Sequence, residues 1–380
     1  MPPAATDSAI YLDKPDMVDR FLSQISDVKE LALDTEGASF HRFLDRIYLL
    51  QVSTRDRSAI IDPLPIGSPG KLGDLLQSKD TEVVFHDADY DLRLLHQDYG
   101  WHVTNIFDTR IASQLLGIKS FGLAALLEQF FDVKLDKKHQ RADWSMRPLT
   151  PDMLEYAAQD TRFLLQLKDH MKAELGRRNR LHWAEEEFAR LEGTRWEAEE
   201  SMEGFLRLKG ARDLTRRELA VLREVANWRD TVAAQLDRAT FRVMGNEALF
   251  ELARIAPRSV SELSTIKGMP KGMIDRAGAD IVAAIRRGVE VPEAELPKFP
   301  KGQRWNKDRD FDDKVARLKS VRDAAATRLE LDPGVLCSRE RLENVARSGA
   351  KSVEELGAVP DLRRWQIQEM GAGFIAALGT

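Results

Sequence analysis

The chain has very little of what marks secreted and membrane proteins. Its 380 residues include a single cysteine, Cys337, so no disulfide can form within the chain and a reducing compartment is favoured. The first twenty residues lack the basic start and apolar run of a secretory signal. The longest apolar-rich stretch, residues 121–131, contains Glu128 and Gln129 and is shorter than the ~20 residues that a membrane helix needs. We therefore expect a cytoplasmic protein without a membrane segment.

A strong charge of one sign is also missing. The net charge of −5 excludes a uniformly basic nucleic-acid-binding chain, while 43% hydrophobic and 31% charged residues are typical of globular proteins. The charge is nevertheless unevenly distributed. Residues 204–290 contain 16 Lys and Arg against 11 Asp and Glu, a net charge of +5, which leaves −10 for the remainder. The length predicts several domains, and this asymmetry predicts that an acidic part and a basic part have different functions.

The first half of the chain, residues 1–178, alternates strand and helix patterns. Lys29–Asp34, Arg46–Ser53 and Ser58–Asp62 predict three consecutive strands in a meander, and Glu82–His86 and Asn105–Phe107 predict two more. Helical patterns occupy residues 16–25, 71–77, 90–99, 109–116, 123–131 and 151–175. This order predicts an α/β domain with a mixed sheet flanked by helices.

The second half shows no strand pattern and contains an internal repeat. Residues 179–203 predict a connecting helix, followed by a helical block at 204–290, a proline-rich basic linker at 291–309 and a second helical block at 310–380. Shifting the chain by 93 residues aligns the two blocks without a gap. Polar and glycine positions match as well as apolar ones: Arg229-Asp230 falls on Arg322-Asp323, and Gly278-Ala279 on Gly371-Ala372. The blocks are therefore predicted to be duplicates.

Four carboxylates in the first half form the strongest candidate site: Asp34 and Glu36 at a strand end, Asp91 at a helix start, and Asp160 on a later helix. Asp34 and Glu36 project to one face of a strand because side chains alternate with a period of two. Tyr156 lies four residues before Asp160 and shares its helix face. Oxygen ligands of this kind suit Mg²⁺ or Mn²⁺, and two such ions can stabilise both the attacking and the leaving oxygen of a phosphoryl displacement.

At this level the residues resemble the ribonuclease D family of the DEDD exonuclease superfamily. LALDTEG at 31–37 looks like the first exonuclease motif, HDADYDLRLL at 86–95 the second, and YAAQDTRFLL at 156–165 the third. LDKKHQRADWSMRPLT at 135–150 resembles the stretch that precedes the third motif, and a tyrosine at position 156 places the chain in the tyrosine subgroup. The duplicated blocks are similar to HRDC domains, the helical modules shared with RecQ-type helicases. The resemblance covers nearly the whole chain.

The resemblance implies an RNase H-like nuclease domain followed by two all-α HRDC domains. It also implies that Asp34, Glu36, Asp91 and Asp160 hold two divalent ions, Mg²⁺ or Mn²⁺, and that Tyr156 orients the attacking water. A free tyrosine has a pKa near 10, so the metal rather than the phenol is expected to activate that water. The implied reaction releases nucleoside 5′-monophosphates from the 3′ end of structured RNA such as tRNA precursors.

Substrate contacts are predicted outside the carboxylate set. His139 and Arg141 lie in a basic stretch with Lys137 and Lys138 that either faces phosphate or is a solvated loop, and Trp144 either stacks on a base or packs against the domain. The first helical block offers basic candidates for phosphate contacts, unless they only solvate helix faces: Arg216, Arg217, Arg223, Arg229, Arg238, Arg242, Arg254 and Lys267. His86, in an apolar strand, is interpreted as a core histidine.

Two alternatives to a 3′→5′ exoribonuclease remain open at this level. The same metal site could serve a DNA 3′→5′ exonuclease, because no residue in the sequence identifies a contact to the ribose 2′-hydroxyl. A noncatalytic RNA-binding adaptor with a degenerate nuclease fold is the other alternative, and the complete set of carboxylates argues against it. We expect a monomer that binds RNA with a free 3′ end.

Overall fold

A computed structural model describes residues 9–136, 138–197, 204–300 and 309–379. The chain divides into two compact units. The first unit contains the described residues up to Glu36, residues Ile47–Trp196 and the second helical block. The other unit contains residues Gly37–Arg46 and the first helical block. No helix in the described ranges combines the length and the apolar character needed to cross a membrane.

A six-stranded mixed sheet forms the centre of the first unit, which confirms the predicted α/β architecture. The strands follow the order β1-β4-β3-β2-β5-β6; β3 pairs antiparallel with β2 and β4, and the other pairs are parallel. The sequence did not predict β1, which has only three residues. The strands are β1 (Ile10–Leu12), β2 (Glu30–Glu36), β3 (Leu49–Ser53), β4 (Ser58–Ile61), β5 (Glu82–Phe85) and β6 (Ile106–Asp108).

The described residues of the first unit up to Trp196 contain nine helices beside the sheet. They are α1 (Pro15–Gln24), α2 (Pro63–Ile66), α3 (Gly70–Leu76), α4 (Asp89–Tyr99), α5 (Thr109–Leu115), α6 (Leu123–Phe131), α7 (Pro151–Arg162), α8 (Leu164–Arg177) and α9 (Leu181–Leu191). Residues 151–175 form two helices and not the single predicted one. The break falls at Phe163, whose ring stacks on Phe131 with centroids 6.4 Å apart.

The alternation of side chains along β2 separates two hydrophobic cores. Leu31 and Leu33 belong to a core that includes residues of α1, α3 and α4, whereas Ala32 belongs to a core with α5, α6, α8 and α9. Asp34 and Glu36 continue the face of Ala32, and α7 packs against β2, β3 and β4. Thr35 continues the opposite face. The period of the strand thus decides which helix each polar residue at its end can approach.

The second helical block shares its core with the sheet and the helices up to α9. Its helices are α14 (Arg309–Leu329), α15 (Pro333–Leu336), α16 (Arg339–Ser348) and α17 (Arg364–Leu378). Trp365 and Phe374 are buried in the same cluster as Phe107 and Leu167. The block is therefore an integral part of the first unit. The domain boundaries themselves stay predictions.

The first helical block repeats this arrangement with a constant offset. Its helices are α10 (Arg216–Leu236), α11 (Thr240–Val243), α12 (Asn246–Ile255) and α13 (Lys271–Glu290), and all four begin 93 residues before their counterparts in the second block. A Cβ on Gly278 would lie 2.8 Å from Val260, and one on Gly371 would lie 3.1 Å from Val353. The paired glycine and valine positions of the repeat are thus explained by one close contact.

Two predicted connections differ from the structure. The connecting helix at 179–203 is shorter than predicted, since α9 ends at Leu191, residues 192–197 are not helical and residues 198–203 lie outside the described residues. The linker at 291–309 is not freely extended over its described part. Leu296 is buried and Phe299 packs on the first block beneath Arg212, because apolar side chains at these positions favour burial; residues 301–308 lie outside the described residues.

Candidate active site

Three of the predicted carboxylates converge at the end of β2. One oxygen each from Asp34, Glu36 and Asp160 lies within 4.8 Å of the others. Asp34 and Glu36 come from one face of β2, and Asp160 comes from α7, whose start is fixed by Thr150 and Pro151 at its N-terminus. Carboxylate oxygens this close to one another form a donor set that suits a hard divalent cation.

Asp91 reaches the same strand from the opposite face. Its Oδ1 accepts hydrogen bonds from the Thr35 backbone N–H at 2.9 Å and the Thr35 hydroxyl at 2.6 Å. Pairing between β2 and β5 extends only to Ala32, so the edge of β2 at Thr35 is open to the first turn of α4. Thr35 lies between Asp34 and Glu36 on β2, and its two hydrogen bonds therefore orient the fourth carboxylate, Asp91. Asp91 lies outside the group of three oxygens that lie within 4.8 Å.

The four carboxyl groups repel one another in a site that is partly buried. Burial, and then the charge of Asp160, raises the pKa of Asp34 well above its usual range. Burial and the charges of Asp34, Asp160 and Asp91 do the same to the pKa of Glu36. Burial and the charge of Asp91 raise the pKa of Asp160 to about 7. A bound cation would relieve this repulsion, so the electrostatics of the site fit a metal centre.

Tyr156 lies one helical turn before Asp160 and is protonated at neutral pH. Burial raises the pKa of its phenol further above the usual value, and the charges of Asp160, Glu36 and Asp34 act in the same direction. The phenol can therefore donate a hydrogen bond but cannot act as a base. Its ring contacts Trp144, with centroids 6.0 Å apart, and meets His139 edge to face, with centroids 5.9 Å apart.

The predicted substrate contacts separate into two groups. Trp144 is only 1% exposed, so it cannot stack on a base as one prediction held; its ring packs on Tyr156 and positions it. Arg229 is 6% exposed and donates to Asp230 and Asn246, so burial contradicts its prediction as a phosphate contact. His139 and Arg141 stay predictions: the first is partly buried, the second is exposed. Lys137 lies outside the described residues.

A cleft of about 500 Å³ opens beside the carboxylates. Asp34, Asp160 and Tyr156 form part of its lining. Residues outside the motif stretches help to complete it, among them Arg110 and Phe121. Arg110 forms an ion pair with Asp87 and lies 5.2 Å over the Phe121 ring. The cleft thus combines the carboxylates with the Arg110 cation and the rings of Phe121 and Tyr156.

His86 also lines this cleft, so its interpretation as a core histidine was incomplete. The Thr109 hydroxyl donates to the Phe85 carbonyl at 2.9 Å, and His86 Nδ1 lies 2.9 Å from the same hydroxyl oxygen. The oxygen therefore accepts from Nδ1–H, which fixes the tautomer of the ring. Burial and the nearby Arg110 charge lower the pKa of His86 to about 4, so the ring is neutral at physiological pH.

The loop between α6 and α7 is fixed to the sheet by a buried ion pair. Arg147 Nε and Nη2 donate to the two oxygens of Asp62 at 2.5 and 2.8 Å, and the Tyr11 hydroxyl donates to Asp62 at 2.5 Å. Arg147 also donates to the carbonyls of Trp144 and Tyr48. Burial alone would raise the pKa of Asp62, but the hydrogen bonds from Arg147 and Tyr11 lower it. The loop that carries Trp144 is therefore held against β1 and β4.

Comparison with known proteins agrees with this geometry. The pattern of the 3′–5′ exonuclease family matches residues 10–176, and that of the HRDC domain matches residues 218–285 and 313–378. A ribonuclease D of Nitrobacter hamburgensis is 30% identical over 360 residues, which cover 93% of this chain and 91% of that protein.

Solved structures show the same fold. Escherichia coli RNase D, described as an exoribonuclease involved in structured RNA processing, has a TM-score of 0.74 at 24% identity, covering 97% of this chain and 98% of that one. The catalytic core of RRP6 from Trypanosoma brucei has a TM-score of 0.66 at 28% identity, covering 74% of this chain and 79% of that one.

Proposed function

The chain belongs to the ribonuclease D family and is a 3′→5′ exoribonuclease, and on this premise we propose that it releases nucleoside 5′-monophosphates from structured RNA by hydrolysis supported by two divalent ions. The proposed ligands are Asp34, Glu36, Asp91 and Asp160. The observation that carries this proposal is the convergence of the oxygens of Asp34, Glu36 and Asp160 within 4.8 Å.

Two divalent ions at these carboxylates would supply the charge that polarises the attacking water and stabilises the leaving 3′-oxygen. The protein's own contribution is geometric. Alternation along β2 directs Asp34 and Glu36 toward α7, and Thr35 holds Asp91 through two hydrogen bonds. The bond that breaks joins phosphorus to the 3′-oxygen of the penultimate nucleotide, so the released residue keeps its 5′-phosphate.

Tyr156 is proposed to orient the attacking water by donating its hydroxyl proton in a hydrogen bond. Its raised pKa keeps the proton on the phenol at neutral pH, and Trp144 limits the movement of its ring. Tyr156→Phe is therefore expected to slow hydrolysis while divalent ions still bind.

The cleft supports a substrate of single nucleotide size at the site. A volume of about 500 Å³ accommodates one nucleotide, and the neutral His86 and the Arg110–Phe121 pair line the same cleft as Asp34 and Asp160. Because the E. coli relative is described as acting in structured RNA processing, we propose 3′ ends of structured RNA, such as tRNA precursors, as substrates of this chain. We propose further that it acts as a monomer in the cytoplasm.

Digestion of a 5′-labelled RNA tests the proposal. With Mg²⁺ or Mn²⁺ the wild-type chain is expected to produce a ladder that shortens from the 3′ end, and a chelator is expected to stop it. Asp34→Asn should lower the rate by at least about 100-fold, since a lost ligand raises the barrier by roughly 3 kcal/mol or more.

Asp27→Asn provides the matched control, because Asp27 is an exposed aspartate just before β2 and lies outside the cleft lining. Its rate should equal that of wild type. A normal rate for Asp34→Asn would refute its ligand role. A DNA oligonucleotide of the same sequence distinguishes the remaining alternative: equal digestion of both sugars would contradict an RNA-directed enzyme.

A further inference from the structure

A cavity within the first unit adjoins the cleft beside the carboxylates. Its volume is about 1220 Å³, and it lies between the nuclease half and the second helical block. The nuclease half lines it with α5 and the segment 117–121, and the second block lines it mainly with α14, α15 and α16. Phe121 lines both this cavity and the cleft, so the two spaces share a wall. We call it the adjoining cavity.

The acidic side chains of the adjoining cavity already have partners. Three of the four acids in its lining form ion pairs with arginines, and the fourth accepts hydrogen bonds from backbone N–H groups at the start of α15. These are Glu187 with Arg363, Asp323 with Arg322, Glu330 with Arg178, and Asp332 with the N–H groups of Gly334 and Val335.

The two cations of the lining, Arg341 and Lys119, have no such partners. Within the described ranges of the chain, neither side chain makes a hydrogen bond or an ion pair. Arg341 is only partly exposed, and burial, followed by the charge of Arg363, lowers its pKa. A guanidinium stays charged at neutral pH, so a partly buried one without an acceptor costs free energy. The adjoining cavity therefore favours an anion at Arg341.

The helical repeat does not require an arginine at this position. The offset of 93 residues places Arg341 on Ala248 of the first block, which is fully buried in the core of that block. The helices that carry them, α16 and α12, have ten residues each and begin at equivalent positions. The same helical position therefore accepts a methyl group, and the shared fold of the blocks does not explain the charge of Arg341.

The remaining lining suits an anion that carries a ring. Phe121, Ile118, Val335 and Trp365 contribute aromatic and aliphatic surface. A phosphate matches the donors of a guanidinium, and a nucleobase matches apolar and aromatic walls. Inorganic phosphate would leave these walls without a partner. The cavity is larger than the cleft of about 500 Å³ that accommodates one nucleotide, so its volume is sufficient for a second.

We propose that the adjoining cavity is a second nucleotide-binding site, with a phosphate paired with Arg341, the exposed Lys119 attracting it, and a base against the apolar wall that includes Phe121. This inference rests on the proposed function, because the reaction in the neighbouring cleft brings nucleotides to the cavity. The occupant is either a released nucleoside 5′-monophosphate or a nucleotide of the bound RNA strand, since both present the same phosphate and base. The second block then contributes to binding as well as to the core.

Isothermal titration calorimetry of the full chain with 5′-AMP tests the proposal in the presence of a chelator. Without cations the carboxylates of the cleft repel phosphate, so binding reports on the adjoining cavity. Arg341→Gln is expected to bind at least about tenfold more weakly, because a charge-assisted hydrogen bond is lost. Lys119→Gln is expected to bind about threefold more weakly, since an exposed charge is screened. Lys119 is exposed, so this second variant keeps the test decisive if Arg341→Gln does not fold.

Arg339→Gln is the matched control. It removes the same charge from the same helix, but Arg339 is 77% exposed and lies outside the lining, so this variant should bind as wild type does. A wild-type chain that does not bind 5′-AMP, or an unchanged affinity of Arg341→Gln or of Lys119→Gln, would overturn the proposal. Wild-type affinity for adenosine equal to that for 5′-AMP would contradict the phosphate contact, and equal affinity for inorganic phosphate would contradict the base contact.

A short 5′-labelled oligoribonucleotide distinguishes the two sources of the nucleotide. If Arg341→Gln weakens binding of both the oligonucleotide and 5′-AMP in chelator, the site takes a nucleotide of the strand; if it weakens binding of 5′-AMP alone, the site takes the released product. Failure of the proposed function is distinguishable, because hydrolysis with Mn²⁺ is measured separately. A chain that binds 5′-AMP through Arg341 and hydrolyses no RNA would contradict the proposed function alone.

Discussion

The two helical blocks share one arrangement of helices, but an equivalent face is buried in the second block and exposed in the first. Their helices begin at positions 93 residues apart, and both place a residue other than glycine in a left-handed turn after the long first helix, Asp237 in one and Glu330 in the other. In the second block the face around the last helix is buried against α9. In the first block the equivalent face carries exposed arginines. A duplicated module can therefore serve once as part of a core and once as a surface.

The contacts of the second block explain why it cannot be removed like an appended module. Trp365 stacks on Trp183 with ring centroids 4.7 Å apart, and its indole N–H donates to Glu187 at 3.0 Å. Arg363 donates to both oxygens of Glu187 at 3.0 and 3.1 Å, and Arg180 donates to the carbonyls of Leu115 and Leu329. Deleting residues 204–380 would therefore damage the nuclease half. This deletion cannot be used to measure how much the helical blocks contribute to RNA affinity.

The largest expected effect on stability is that of Trp365→Ala. Truncating a fully buried tryptophan removes its stacking and leaves a cavity, which we expect to lower the free energy of unfolding by about 4 kcal/mol. Urea denaturation of the full chain measures it. The repeat position in the first block is Gly272, so no comparable side chain exists there. A loss below about 1 kcal/mol would show that the second block is not part of the core.

Glu187→Gln is expected to cost somewhat less, about 3 kcal/mol. The neutral amide would leave the Arg363 guanidinium, only 8% exposed, with only the longer ion pair to the exposed Asp361 at 3.6 Å. Glu185→Gln on the same helix is the control, because Glu185 is exposed, and it should change stability by no more than about 0.5 kcal/mol. Equal thermal denaturation midpoints for the two variants would contradict a structural role of the pair.

Asp62→Asn tests whether an ion pair wholly within the nuclease half contributes to the free energy of unfolding as the ion pairs of the second block do. We expect a loss of about 2 kcal/mol at pH 7, because Arg147 would lose its charged acceptor. The folded state lowers the pKa of Asp62, so its contribution is complete above the unfolded value near 3.9 and is lost as the pH falls through the lower folded value. The difference between wild type and variant should therefore shrink below about pH 4. A difference that does not change with pH would exclude this ion pair as its source.

The smallest expected effect is on the exposed arginines of the first block. The variant with Arg238→Gln and Arg276→Gln should unfold within about 0.5 kcal/mol of wild type, since both side chains are exposed. The contrast with Trp365→Ala sharpens the comparison of the blocks: equivalent faces should govern stability in the second block and leave it almost unchanged in the first. Marked destabilisation of the arginine variant would remove that contrast.

Much of the fold follows from local sequence patterns. The meander of β2, β3 and β4 was predictable because each strand is an apolar run between polar turns, and the repeat was predictable because polar and glycine positions recur at one offset. The burial of Trp144 and Arg229 was not predictable, because nothing in the local pattern shows which tertiary partners cover them. The incorporation of the second block into the nuclease core depends on contacts between residues about 180 positions apart, such as Glu187 and Arg363.

The candidate site likewise combines residues that the sequence predicts with features that it does not. Asp34, Glu36 and Asp160 could be chosen from motif order and strand period, and the structure brings their oxygens together. The role of Thr35 in holding Asp91 depends on where β5 stops pairing with β2, which the sequence does not specify. The neutral state of His86 depends on burial and on Arg110, a residue that carries no motif.

Manganese binding measured by electron paramagnetic resonance tests the carboxylate site most directly, because it needs neither substrate nor turnover. The account predicts two bound Mn²⁺ per wild-type chain and fewer for Asp160→Asn, while the exposed control Asp27→Asn binds as wild type does. A wild-type chain that binds no Mn²⁺, or an Asp160→Asn chain that binds the same two, would contradict it.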